Sequence, residues 1–253
     1  MTLATDVWIL TVRKVRETLR QPVWVALSFV FPLALLVFYA PFLQSLAGGP
    51  GFTRGSVLDV FVPGMLVMLA YINASTAGMF LIMELGTGVI ERLQVTPVSR
   101  FALLMGTALR DVLTMLVPGL VLIAIAMPFG FHPHWAGIAL LMALLALLTI
   151  AASAASTGLA LTARRAETMS AVVNGTMFPL LMISGMMLPL PMAPGWMQAL
   201  AHIDPLYYAV QGGRELALGT LGSWGVAEAF LVVGGLAVLA TLWATRTYRR
   251  AVA

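Results

Sequence analysis

GIALLMALLALLTIAASAASTGLALT, Gly137–Thr162, runs for 26 residues without a charged side chain. A helix needs about 20 apolar residues to cross the hydrocarbon core of a bilayer, so this stretch alone is long enough to span one. The same character extends through the chain. Hydrophobic residues make up 60% of the 253 residues and charged residues only 9%, where soluble domains run near a quarter charged. Such a chain cannot cover a folded surface with polar groups, so its solvent is largely hydrocarbon. At about 20 residues per span, the length holds at most about six or seven spans with short loops and leaves little for a separate soluble domain.

Working outward from Gly137–Thr162, five further apolar stretches read as spans: Val23–Leu46, Val57–Met83, Thr107–Phe129, Met169–Leu188 and Val226–Thr245. The expected fold class is all-α, a polytopic membrane protein with six transmembrane helices in a single domain over residues 1–253. Pro32, Pro63, Pro118 and Pro179 fall inside spans. Proline is tolerated there where neighbours satisfy the freed carbonyl, so a packed, kinked bundle is expected. Within the opening stretch, Ala151–Gly158 is built of small residues, which let helix backbones approach closely.

Residues 2–21 precede the first span. At helical spacing Trp8, Val12, Val15 and Leu19 share one face, with Arg13, Arg16, Glu17 and Arg20 broadly opposite. This is the pattern of a helix lying in the membrane interface, ended by Pro22. The apolar stretch behind it is too long for the core of a secretory signal, so it is expected to remain as a span.

An even span count puts both termini on one side. That side then holds Arg13, Lys14, Arg16, Arg20, Arg92, Arg100, Arg110, Arg164, Arg165, Arg246, Arg249 and Arg250, and the other only Arg54 and Arg214. Basic residues gather in cytoplasmic loops, so both ends are expected in the cytoplasm and the chain in the cell membrane. The same distribution accounts for the net charge of +4 and a pI of about 10.0 without a nucleic-acid partner. There are no cysteines, which excludes disulfides and thiolate metal sites.

Enzyme chemistry finds little support. A phosphate-binding loop needs a lysine after a glycine-rich turn, and the one lysine, Lys14, sits in a basic helical segment. His132 and His134 flank Pro133 without a neighbouring carboxylate or cysteine and read as a polar loop rather than a metal site. Asp59, Glu84, Glu228 and the Arg110–Asp111 pair lie near span ends, where charges reach water or pair. Asn73 is the polar group placed at depth, expected to bond across helices. No catalytic residue, metal ligand or cofactor site is expected.

Two connections exceed ordinary turns. Residues 189–222, before the last span, are long for an empty loop and read as two short re-entrant helices on the external side. Pro194 opens the first, with Trp196, Leu200 and Ile203 on one face; Asp204-Pro205 opens the second as N-cap and first-turn proline. The other connection, residues 84–100, is cytoplasmic: ELGTGVIERLQVTPVSR. Gly86 and Gly88 break the span, Val89 and Leu93 make a small apolar face beside Glu91 and Arg92, Thr96-Pro97 ends the element, and Ser99 can cap the next helix before Arg100. A short amphipathic helix carried on two membrane helices suits docking into a groove on another protein.

This run, from Gly88-Val89 through Glu91-Arg92-Leu93 to Thr96-Pro97-Val98-Ser99-Arg100, resembles the first cytoplasmic loop of membrane subunits of ABC-2-type exporters. Ser184-Gly185, Pro189, Pro191, Pro194, Trp196, Asp204-Pro205-Leu206-Tyr207-Tyr208 and Arg214 resemble the region between the fifth and sixth spans of that family. The resemblance covers essentially the whole chain and looks closest to the daunorubicin/doxorubicin-type drug permeases. Two places depart from the family pattern: Leu85-Gly86 where a denser acidic stretch is common, and Asp204-Pro205 where Asn-Pro is frequent.

The resemblance implies a permease subunit of an exporter for a hydrophobic or amphiphilic compound, with no ATPase site of its own. ATP would be bound by two cytoplasmic ATPase subunits, and a second permease chain, identical or homologous, would complete the pathway. Coupling to the ATPase would fall on Glu84, Gly88, Glu91, Arg92, Leu93, Thr96, Pro97, Ser99 and Arg100. An external gate would be formed by Pro194, Trp196, Asp204, Pro205, Tyr207, Tyr208 and Arg214. The 16 methionines suit adaptable binding of apolar cargo, and equally lipid contact and core filling. Export of a polysaccharide or lipid-linked glycan, an ion-gradient-driven carrier and a non-transporting scaffold are the alternatives.

Overall fold

A computed structural model describes residues 3–20, 30, 34, 36–38, 57–86, 100–163, 165–186 and 190–251. Most of the expected first span, Val23–Leu46, lies outside the described residues, as do Pro189 and the central positions of the 84–100 connection. Among the described residues the regular structure is entirely helical. Helix α1 covers Leu3–Leu19. The second apolar stretch forms α2, Val57–Ser75, and α3, Ala77–Gly86, separated at Thr76. Next come α4, Arg100–Ala126, and α5, Trp135–Ala163. Then follow α6, Ala166–Ile183, and the short α7, Gly195–Ala201. The chain continues through α8, Pro205–Ala217, into α9, Trp224–Ala251.

Among the described residues, four helical segments are long and apolar enough to cross a membrane: Val57–Gly86, Phe101–Phe129, Trp135–Ala163 and Trp224–Tyr248. They contain the expected second, third, fourth and sixth spans. The expected fifth, Met169–Leu188, coincides with α6, which is not one of the four. Glu167, Asn174 and Thr176 dilute its apolar run, and the helix stops at Ile183, just before Gly185 takes a left-handed φ of 72°.

Helix α5 is the centre of the bundle and touches α2, α3, α4, α6, α8 and α9. Its near-uniform apolarity is what a helix surrounded on most sides requires. Leu141, Leu144, Leu145 and Leu148 of α5 are fully buried with Leu66 of α2, Met115 and Leu122 of α4 and Val210 of α8. A second cluster, nearer α1, joins Leu81, Leu104, Leu161, Met169 and Tyr248. The small residues of α5 serve different neighbours: Ser153 meets α4, Ser156 meets α2 and α3, and Gly158 lies under the Trp243 ring of α9. At the other end of α5, Gly137 lies so close to α8 that a Cβ there would sit 1.8 Å from the Leu216 carbonyl oxygen. Only glycine permits that backbone approach.

Helix α1 packs on α4, yet not by the face its apolar residues suggest. Leu10 and Thr11 are buried, with Leu10 against Gly106, whereas Trp8 is 65% exposed. Trp8, Ile9, Arg13 and Arg16 thus lie away from the bundle, while Val12 and Val15 are half-buried. The protein-facing side is mixed because α4 and α3 offer polar partners to it, which the pattern of α1 alone does not reveal.

Candidate functional site

The two regions singled out in the sequence lie at opposite ends of α2–α3 and α5. At the α1 end, α3 delivers Glu84 and α4 begins at Arg100. Gly88, Glu91, Arg92, Leu93, Thr96, Pro97 and Ser99, between them, lie outside the described residues. Glu84 is held by the chain's one lysine, with Lys14 Nζ donating to Glu84 Oε1 over 2.6 Å. The start of the 84–100 connection is thereby tied to α1. Deeper in the bundle, Arg110 pairs with Asp111 at 3.0 Å, and Ser153 of α5 donates to the other carboxylate oxygen at 2.6 Å. The Arg110 guanidinium also lies 5.3 Å from the centre of the Phe80 ring on α3. Arg110 and Asp111 are both buried. Burial is tolerable here because the charges neutralise each other and the carboxylate is further hydrogen-bonded.

At the other end, Asp204-Pro205 opens α8 as its local chemistry dictates. Asp204 Oδ1 accepts from the Leu206 N–H at 2.9 Å, and Pro205 occupies the first turn, where no N–H is needed. His202, Tyr207 and Tyr208 form an edge-to-face string with ring centres 5.1 and 5.3 Å apart. The Tyr208 hydroxyl donates to the His202 carbonyl. Pro194 precedes α7, whose Trp196 stands exposed along with Leu200 and Ile203. Arg214 is buried and donates to two backbone carbonyls, Val60 of α2 from Nε at 3.0 Å and Gly185 from Nη2 at 2.7 Å. The structure thus brings Asp204, Pro205, Tyr207, Tyr208 and Arg214 together on α8, while Pro194 and Trp196 stand on the neighbouring α7.

Sequence reasoning missed three participants. Lys14 was read as one of several interfacial cations, although its being the single lysine could have marked it. Ser156 bonds across helices at the depth where Asn73 was expected to do so. Its signal is Ser75-Thr76-Ala77-Gly78, a polar and small cluster inside an apolar span. Glu215 accepts a short hydrogen bond from Ser223, which in turn accepts from the Val226 N–H at the start of α9. That acidic residue beside a helix N-terminus has only the Ser223 cap signal in sequence.

Burial pushes the Asp204 carboxyl up to about 6, with the Leu206 N–H opposing the rise. Its second oxygen, Oδ2, is buried without a hydrogen-bond partner among the described residues. A carboxyl raised above its unfolded value stabilises the fold at low pH. That contribution is complete below the ordinary value of 3.8 and is lost as pH rises through about 6. The purified chain is therefore expected to unfold at a higher temperature at about pH 5 than at about pH 7.5. Asp204→Asn, which keeps an acceptor oxygen for Leu206, should flatten that dependence. Equal slopes in the two proteins would exclude Asp204 as its source.

A bundle of helices long and apolar enough to cross a membrane, with a centrally buried span and short helices wedged at one end, defines a polytopic membrane protein. The chain belongs to the ABC-2 type transporter family, which it matches over residues 5–218. It is 27% identical to the daunorubicin resistance ABC transporter permease protein DrrB1 of Streptomyces coeruleorubidus, over 85% of this chain and 76% of that one. It is 24% identical to the putative transport permease ycf38 of Cyanophora paradoxa, over 83% of this chain and 73% of the relative. The ycf38 protein of Pyropia yezoensis is 23% identical over 85% and 74% of the two chains.

Proposed function

We propose that this chain is the permease subunit of an ATP-binding-cassette exporter that moves a hydrophobic or amphiphilic compound out of the cell. The family match over residues 5–218 carries the reading, and the relative named for daunorubicin resistance favours drug-like cargo. In this reading six spans place both termini in the cytoplasm. Glu84, Gly88, Glu91, Arg92, Leu93, Thr96, Pro97, Ser99 and Arg100 meet a separate ATPase, of which two copies bind the ATP. Pro194, Trp196, Asp204, Pro205, Tyr207, Tyr208 and Arg214 form the external gate. Reporter fusions at Gly49 and Ala253 should report opposite sides of the membrane; the same side would break the six-span count.

A second permease chain is part of the proposal. Helix α6, the fifth span in this reading, supports it, because Asn174, Thr176 and Phe178 are exposed along it. Polar side chains facing hydrocarbon are costly, so another permease chain or the pathway between two chains is the fitting neighbour for this face. Lipid would cover the exposed Trp8 and Ile9.

ATP dependence tests the function. In vesicles holding the permease with its ATPase, export should vanish when the ATPase's phosphate-binding lysine is replaced. The permease alone should not hydrolyse ATP, since no lysine follows a glycine-rich turn in it. Export that persists and follows a proton gradient would instead identify an ion-driven carrier.

A further inference from the structure

Between α2 and α3 the helical hydrogen-bond ladder is interrupted in the middle of a segment that crosses the membrane. In an unbroken helix the Gly78 N–H would donate to Ala74 and the Met79 N–H to Ser75. Here Gly78 N–H donates to Ser156 Oγ of α5 at 2.9 Å, and Met79 N–H donates to the Thr76 carbonyl at 3.0 Å. The Ser75 carbonyl is taken by the same Ser156 hydroxyl, which donates to it at 2.6 Å. One buried hydroxyl thus satisfies the Gly78 N–H and the Ser75 carbonyl, two of the groups that the break releases. The lipid interior offers no water to do so. Gly78 makes the approach possible, since a Cβ there would lie 2.4 Å from the Ser156 carbonyl oxygen.

We infer that Ser156 is the positioning residue of a hinge at Thr76, about which α3 swings on a fixed α2. The two halves differ in the way a hinge requires. Helix α2 is buried along most of its length, whereas α3 buries only Ala77, Gly78 and Leu81. Straightening exchanges bonds rather than losing them. Gly78 and Met79 would regain Ala74 and Ser75, and the Ser156 hydroxyl could turn to a carbonyl of its own preceding turn, as serines in helices do. Bent and straight forms therefore hold similar numbers of hydrogen bonds, which is the condition for a two-state element. Because α3 leads straight to the cytoplasmic connection, a push there moves α3 first. This last step rests on the exporter reading above.

Ser156→Ala tests the hinge in two independent ways. In the purified permease without ATPase, loss of one hydrogen bond should speed amide exchange in residues 74–80 by about 3- to 10-fold. In vesicles with the ATPase, the ATP hydrolysed per molecule exported should rise while ATPase binding is retained. Ser156→Thr, which keeps the hydroxyl, should restore both. Where the alanine variant does not accumulate, Ser156→Cys, a weaker donor and acceptor, should show the same changes to a smaller degree. Unchanged exchange overturns the inference whatever the transport result. Faster exchange with unaltered coupling overturns the lever role. A wild-type complex that exports nothing on ATP would sink the exporter reading instead, and the exchange measurement would still decide the hinge.

Discussion

Glu91→Arg is expected to weaken capture of the ATPase by about 30-fold or more while leaving the permease folded and inserted. The estimate follows from the cost of breaking a desolvated interfacial charge pair, about 2–5 kcal/mol, at about 1.4 kcal/mol per tenfold. Glu91 and Arg92 fall in sequence at the centre of the run from 84 to 100, beside the apolar Val89 and Leu93. Its two ends emerge from α3 and α4, and Glu84 is anchored to Lys14 on the near side. An element carried on two membrane helices transmits force only if its contacts persist through the cycle. Leu93→Asp should act in the same direction by placing a charge in the apolar contact. The measurement is a pull-down of the ATPase at graded concentration, paired with vesicle export. Charges at the rim of an interface cost at most about 1 kcal/mol, so the size of the loss separates centre from rim. If both variants bind the ATPase and export as the wild type does, residues 84–100 are a solvated loop and the coupling assignment is wrong.

What the sequence made legible is what local chemistry and solvent dictate. Gly137–Thr162 announced a span because no soluble surface could accommodate it, and the structure places that helix at the centre of the bundle. Asp204-Pro205 announced a helix start because capping is settled within three residues. The break at Thr76 stayed hidden since serine and threonine are tolerated in apolar helices, and the group that stabilises the break, Ser156, is 81 residues from Ser75. The buried side of α1 could not be read from the sequence for a related reason. Amphipathicity tells which face is apolar, not which face meets protein, and here Lys14 and Thr11 turn inward while Trp8 turns out. Helix α6 was legible as a helix, but its polar residues, Asn174 and Thr176, bond within its own turns, and it is not among the segments long and apolar enough to cross a membrane.

Replacing Arg214 is expected to be the most damaging single change at the α8 end of the bundle. Its role was invisible in sequence because its partners are backbone carbonyls 154 and 29 residues away. Arg214 Nε donates to the Val60 carbonyl in the first turn of α2. Nη2 holds the Gly185 carbonyl beyond the end of α6. One side chain therefore joins α8, α2 and the exit of α6. Burial lowers its pKa to about 10, with Tyr207 opposing, so the guanidinium stays charged at neutral pH. Arg214→Met keeps much of the volume and removes the cost of burying a charge, but it leaves the buried Gly185 carbonyl without its donor and takes one donor from Val60. A net loss of about 1–3 kcal/mol follows, seen as a lower thermal-inactivation temperature in detergent and weaker export with ATPase binding intact. Arg214→Lys should fall between the two, because an ammonium on a flexible stem does not reproduce a fork aimed at two separate carbonyls. Were lysine to match arginine and methionine to cost less than about 0.5 kcal/mol, Arg214 would be a tolerated buried cation and not the clamp of the external gate.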